Sequence, residues 1–307
     1  METLYITHPL CRLHEMGAWH PESPQRLDAI GDQLVACGLM DYLVPCEARL
    51  ASPADLLRVH APDYLDYLSR HVPERGYFPV DSDTIMNADT LGAAHAAAGA
   101  GLTALDRILS GQARTAFCAV RPPGHHARPG QALGFCFFNN IAVAARYALD
   151  HHGVSRVAIV DFDVHHGNGT EETFLHEDRV MMCSFYQHPF FPDLHAADPG
   201  PNMINVPVDA YSAGDVIRDI VSRQWLPALR RFRPELILIS AGFDAHREDD
   251  MGGLKLVEAD YAWITDRLVE LAADCAQGRI VSFLEGGYAM SALGRSAVAH
   301  IRALGCY

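Results

Sequence analysis

Five short apolar runs place the tightest limit on how this chain can fold. They are 115–120 (TAFCAV), 156–161 (RVAIVD), 180–185 (VMMCSF), 235–240 (ELILIS) and 279–284 (RIVSFL). None alternates polar with apolar residues as a strand with one wet face does, so each reads as a strand buried on both sides. Between and around them lie stretches with helical spacing of apolar residues, at 89–109, 140–150, 215–230, 259–276 and 291–304. Strands alternating with helices predict an α/β fold of three layers, αβα, with a central, mainly parallel sheet covered on both faces. No repeat, low-complexity tract or Ser/Gly linker divides the 307 residues, so 1–307 is expected to form a single domain.

Parallel sheets bind ligands beyond the carboxyl ends of their strands. At those ends this sequence places Arg121-Pro-Pro-Gly-His125-His126-Ala127, Asp161-Phe-Asp163-Val-His165-His166-Gly-Asn168-Gly, Ala241-Gly-Phe-Asp244-Ala-His246 and Glu285-Gly286-Gly287-Tyr288. If the strands are neighbours, these loops face one another. Asp163 and His165 stand two apart in an extended segment and project to the same side. With Asp244 they form a candidate metal triad. One imidazole and two carboxylates leave positions for water and substrate, as a catalytic zinc requires, and the oxygen-rich set also suits Fe2+, manganese or cobalt. A lone aspartate at a strand end usually serves a turn or a helix cap. The crowding of acids and imidazoles from Asp161 to His166 goes beyond that role, because such packing without a cation is costly.

The adjacent imidazoles of His125 and His126 suit proton transfer at neutral pH. Tyr288 follows two glycines that let the backbone approach a ligand, and its phenol is placed to donate to a developing oxyanion. His151 and His152, by contrast, close a helix and read as partners of its C-terminal dipole.

Composition narrows the function classes. The net charge of −14 argues against nucleic-acid binding, since phosphates would be repelled, and mildly favours cationic partners. No apolar run reaches the ~20 residues of a membrane span. The first ten residues lack the basic start and apolar core of a signal peptide, which predicts a cytoplasmic protein. The eight cysteines form no C-x-x-C pair, which argues against a zinc knuckle, and several sit in apolar strand-like runs and read as buried thiols.

Five ordered motifs, RPPGHHA, GFCFFNN, DFDVHHGNGT, SAGFDAH and EGGY, together with the early segment from His14 through His20-Pro-Glu22-Ser-Pro-Gln-Arg26, span nearly the whole chain. Together they resemble the zinc-dependent histone deacetylase family, including its bacterial, class II-like amidohydrolases. The resemblance implies the arginase/deacetylase fold and one zinc per chain on Asp163, His165 and Asp244, with Fe2+ as the alternative. It implies His126 as general base and acid, His125 beside it oriented by Asp161, and Tyr288 polarising the scissile carbonyl. Gly134, Phe135 and Phe191 would line a narrow acyl-amine tunnel, with Met251 at its rim and Gly287 also touching substrate. A structural potassium ion would sit on Asp161, Ser184 and the main chains of Asp163, His165 and Phe185. Arg26 would lie behind the metal.

Two departures stand out within the resemblance. Asn168 occupies a position where one subgroup has aspartate, which implies a less basic His126. The segment 190–206 is shorter than the usual Gly-rich loop. The expected substrate is acyl-lysine in a peptide or a small acylated amine. Acetylated polyamines are the alternative, with Glu15, Glu22, Asp81 and Asp83 in segments able to reach the rim. An arginase-like ureohydrolase would need carboxylates where Gly167 and His246 stand. A catalytically inactive acyl-lysine binder is disfavoured by the presence of His125, His126 and Tyr288.

Overall fold

The computed structural model describes residues 2–194, 196 and 199–307. Its sheet strands are β1 (Thr3–Thr7), β2 (Leu43–Glu47), β3 (Thr115–Cys118), β4 (Val157–Asp161), β5 (Val180–Gln187), β6 (Met203–Val208), β7 (Leu236–Ala241) and β8 (Ile280–Leu284). They form one sheet in the order β2-β1-β3-β8-β7-β4-β5-β6, and every neighbouring pair is parallel. The central strands β3, β8, β7 and β4 are buried at every residue, which requires cover on both faces. The longer helices are α1 (Gln25–Ala36), α2 (Thr90–Leu109), α3 (Asn140–Asp150), α4 (Glu258–Cys275) and α5 (Met290–Gly305). Helix α5 packs between α1 and α4, while α2 packs on α3, and the sheet lies within these layers. Phe117, Phe162, Phe243 and Phe283 are wholly or almost wholly buried at the sheet–helix contacts, each worth about 1.5–3 kcal/mol of apolar burial.

All five predicted strands are present, within a few residues of their expected limits. Among the described residues, three other strands of this sheet escaped the pattern, as did the short antiparallel pair Phe78–Pro79 and Ile85–Met86. β2 and β6 are edge strands that carry Pro45 and Pro207 and are only partly buried, so neither has a continuous apolar run. β1 is a five-residue strand with Thr at both ends. The helix expected at 215–230 is broken into Gly214–Ile220, a π-helical turn Val221–Trp225 and Leu226–Phe232. Pro227 lies just after the wide turn and has no N–H for the helical ladder. His151 and His152 do follow α3. His151 stacks on Tyr147, and His152 Nε2 lies 2.9 Å from Asp106, a partner on α2 that the helix-dipole reading did not include. Of segment 190–206, His195, Ala197 and Asp198 lie outside the described residues.

One buried histidine joins three elements of this packing. His300 on α5 places Nδ1 2.7 Å from the hydroxyl of Thr265 on α4 and Nε2 2.8 Å from that of Ser282 on β8. The Thr265 hydroxyl donates to Tyr261 O at 2.6 Å, so it accepts from Nδ1–H, and Nε2 accepts from Ser282. The ring is therefore neutral, and burial lowers its pKa to about 3. His14 and His60 are likewise held down by burial, to about 3 and about 4. An unfolded histidine gains a proton below ~6.5 while these folded ones do not, so their contribution to stability is intact above that pH and declines as pH falls. At pH 5 the loss is about 2 kcal/mol per histidine. His300→Gln is expected to be less stable at pH 7 and to lose stability less steeply between pH 7 and pH 5 in urea titrations. An unchanged slope would contradict this account.

Candidate active site

The loops after β3, β8, β7 and β4, four adjacent strands, meet at one end of the sheet. Asp161 ends β4, and the chain runs on so that each acid grips a later main-chain N–H. Asp161 Oδ1 accepts from Asp163 N–H at 3.0 Å, and Asp163 Oδ1 from His165 N–H at 2.9 Å. Asp244, after β7, accepts from Val164 N–H at 3.0 Å. Asp163 Oδ2 accepts from Gly286 N–H, after β8, at 2.9 Å. A Cβ on Gly286 would fall 2.0 Å from Asp244 Oδ2 and 2.6 Å from Asp163 Oδ2, so only glycine lets this loop close over the two carboxylates.

Asp163, His165 and Asp244 are all buried, and one donor atom from each lies within 4.8 Å of the others. His165 Nδ1 is 2.9 Å from Asp163 Oδ1 and 3.2 Å from Asp244 Oδ2. Burial opposes charge on His165, yet the two carboxylates raise its pKa to about 10. Burial and the charge of Asp163 push Asp244 up to about 6. The cluster thus demands a positive charge. Asp244 Oδ2 is buried and accepts no well-aligned hydrogen bond, even from His165 Nδ1 at 3.2 Å, and is an acceptor of the kind a cation satisfies. One imidazole and two carboxylate oxygens at this spacing fit a divalent ion with open positions.

The histidine pair stands beside the triad, its rings 4.0 Å apart. His125 Nδ1 is 2.9 Å from Asp161 Oδ2. Burial works against its charge, but Asp161, Asp163 and Glu285 outweigh it and raise its pKa to about 10. His126 Nδ1 is 2.8 Å from Asn168 Oδ1, an uncharged partner. Burial, then the charges of His125 and His165, hold His126 well below the ordinary histidine value. Adjacent in sequence, the two rings are driven to opposite protonation states. The Tyr288 phenol is kept protonated by burial.

These groups open on a cavity of about 210 Å³, lined by His125, His126, Asp163, His165 and Tyr288 at depth and by Gly134, Phe135, Phe190, Phe191 and Met251 around it. Phe190 stacks on His165 at 5.3 Å, Phe191 stands edge-on to His126 at 5.3 Å, and Phe135 edge-on to Tyr288 at 5.9 Å. The mouth carries Asp83 and Asp250.

The histone deacetylase domain family matches residues 20–304. The chain belongs to the histone deacetylase family. It is 38% identical to the histone deacetylase-like amidohydrolase of Pseudomonas aeruginosa, over 89% of this chain and 73% of that protein. It is 35% identical to rice (Oryza sativa subsp. japonica) histone deacetylase 10, chloroplastic, over 98% of this chain and 72% of that protein. The crystal structure of the HDA15 HD domain superposes with a TM-score of 0.92 at 34% identity, covering 99% of this chain and 90% of that one. Membership makes the chain a hydrolase that deacetylates acylated amines, and the sheet described above is that of the arginase/deacetylase fold.

Most expected residues of this deacetylase converge, and some do not. Gly287 does not line the cavity. Its φ is +120°, a Cβ there would meet Phe243 and Leu293 at 3.0 Å, and its carbonyl accepts from Arg26; Gly286 takes the lining position instead. Glu22 is not at the rim. It is buried, pairs with Arg121 at 2.5 Å and Arg26 at 3.2 Å, and is held at about 2 because these charges and that of His14 outweigh burial. Glu15 is exposed and Asp81 half-buried, and only Asp83 of the four lines the cavity. Arg26 lies behind the site as expected, its guanidinium 4.9 Å from the Tyr288 ring. Ser184 pairs with Asp161 across β4 and β5, with Phe185 next to it, while the Ser184 hydroxyl donates to Asn205.

Several participants, Phe190 and Gly286 among them, carried no role in the sequence analysis. Glu285 accepts from Gly124 N–H at 2.7 Å and His125 N–H at 3.1 Å, and is pushed up to about 7 by burial. Its place at the head of the EGGY motif was the available signal. Asp249 and Asp250 had no signal beyond the acidic run in which they lie. Asp244→Asn keeps the link to Val164 but removes the charge. After dialysis against a chelator, its metal content by mass spectrometry is expected to be a small fraction of the wild type's, with unchanged circular dichroism. Full retention would dismiss the triad.

Proposed function

We propose that this chain is a zinc-dependent amidohydrolase that removes acetyl or other acyl groups from acyl-lysine or from a small acylated amine. The observation that carries the proposal is the convergence of the triad, a neutral imidazole and a protonated phenol on the deep end of one aromatic-lined cavity. Asp163, His165 and Asp244 would hold the ion, for which zinc is the first choice and Fe2+ the second. When bound, it supplies Lewis-acid polarisation of the acyl carbonyl and acidification of water.

The protein's own groups carry the proton traffic. With its Nδ1–H donated to Asn168, His126 presents a free lone pair at Nε2. It takes the proton of the attacking water there and returns one to the departing amine. His125, charged and oriented by Asp161, places positive charge beside the carbonyl as negative charge develops. The Tyr288 phenol donates to the same oxygen. Phe135 and Phe191 flank the aliphatic chain of the substrate, Gly134 forms part of the wall, and Met251 meets the substrate at the rim. Asp161 and Ser184, with the main chains of Asp163, His165 and Phe185, are assigned to a potassium ion.

The retention of His125, His126 and Tyr288 supports turnover over passive binding of acyl-lysine. Acetylated polyamines are the second reading, because Asp83 and Asp250 at the mouth favour a substrate with positive charge at the end of its aliphatic chain away from the acylated nitrogen. Tyr288→Phe is expected to lower kcat about 10²–10³-fold with metal content unchanged. His126→Ala should lower it at least as far. Near-normal turnover by either variant would overturn that residue's role. A panel of acyl-peptides and acetylpolyamines, assayed by released amine, ranks the two substrate classes.

A further inference from the structure

Tyr288 hangs from the peptide that joins it to Gly287, and that peptide is gripped at both ends. Arg26 Nε donates to its carbonyl oxygen at 2.7 Å, and its N–H donates to Asp249 Oδ2 at 2.6 Å. The same Oδ2 accepts from Ala289 N–H at 2.9 Å, and Oδ1 accepts from Met251 N–H at 3.0 Å. Asp249 is 5% exposed and lies between Asp244 and Met251 in the loop after β7. One buried carboxylate therefore collects main-chain donors from two loops, the one bearing the rim residue Met251 and the one bearing the phenol. Charge-assisted bonds of this kind are about twice as strong as neutral ones. Gly287, at φ +120°, offers little intrinsic resistance to rotation of the peptide. The restraint has to come from the groups at its two ends.

We propose that Asp249 is the positioning residue of the catalytic phenol. It fixes the plane of the Gly287–Tyr288 peptide, aims the Tyr288 side chain into the cavity, and links that aim to the position of Met251 at the rim. The inference rests on the role of Tyr288 given under Proposed function. Asparagine at 249 keeps the size but turns an NH2 toward at least one of the three N–H donors, so the grip is broken without leaving a void. A misplacement of ~1 Å in an active site costs about 10² in rate.

The first measurement needs no variant. In the wild-type, metal-loaded protein the Tyr288 and Ala289 amides are expected to exchange with deuterium as slowly as those of the central strands. Exchange at the rate of a free loop overturns the proposal. In Asp249→Asn these two amides should exchange at least ~10-fold faster, with bound metal unchanged. The second measurement is a kinetic cycle. Asp249→Asn should lower kcat about 10–10²-fold with KM within ~3-fold, whereas in a Tyr288→Phe background the same change should cost less than ~3-fold, because the residue acts through the phenol. Losses that multiply in full overturn the proposal. A Tyr288→Phe variant with normal kcat overturns the reading of the phenol itself, while the exchange rates still decide for or against the grip of Asp249.

Discussion

Negative charge buried at the end of the sheet is the constraint on which the rest of the site depends. Asp161, Asp163, Asp244 and Glu285 are all at or near zero exposure within reach of one another. Such groups are tolerated only when each finds donors or a cation. The local backbone is shaped to provide donors, with main-chain N–H groups from the loops after β3, β4 and β8 ending on carboxylate oxygens. The charge left over is met by His125 and, in our reading, by a divalent ion that takes the place of the proton on His165. Acid placement, loop path and the contrast between the two neighbouring histidines follow from the same electrostatic requirement.

A layer of opposite sign lies behind the phenol. Arg26 and Arg121 are fully buried and share the carboxylate of Glu22, which leaves an excess of positive charge. Part of it is spent on main-chain oxygens, with Arg26 donating to the carbonyls of Glu285 and Gly287 and Arg121 to those of Cys11 and His14. The guanidinium of Arg26 also faces the Tyr288 ring. The loop carrying the phenol is thus held between cationic groups below and the Asp249 carboxylate at its side.

Much of this was legible in the sequence, because buried strands of a parallel sheet leave continuous apolar runs and the residues that follow them must converge. The triad, the histidine pair and Tyr288 were put forward on that basis, and the structure gathers them in one place. Glu22 was misread because an acid in a Pro-rich segment looks exposed, and nothing local reveals that Arg121, far along the chain, will come to meet it. Gly287 and Gly286 are indistinguishable by type, and only the backbone path decides which faces the cavity. Asp249 stayed hidden because its partners are main-chain amides, which every residue possesses. Edge strands were missed where proline and solvent exposure removed the apolar signal.

The strand order has a consequence for how the protein matures. The links that assemble the triad join residues 80 and 123 positions apart, between Asp244 and Val164 and between Gly286 and Asp163. Such contacts reward the chain only after long loops have closed, which places them late in assembly. A nascent chain that has not yet made β8 has no Gly286 to close over the acids. Capture of the ion should therefore mark the completion of folding, and a cell short of the metal would accumulate finished polypeptide that lacks its last stabilising partner.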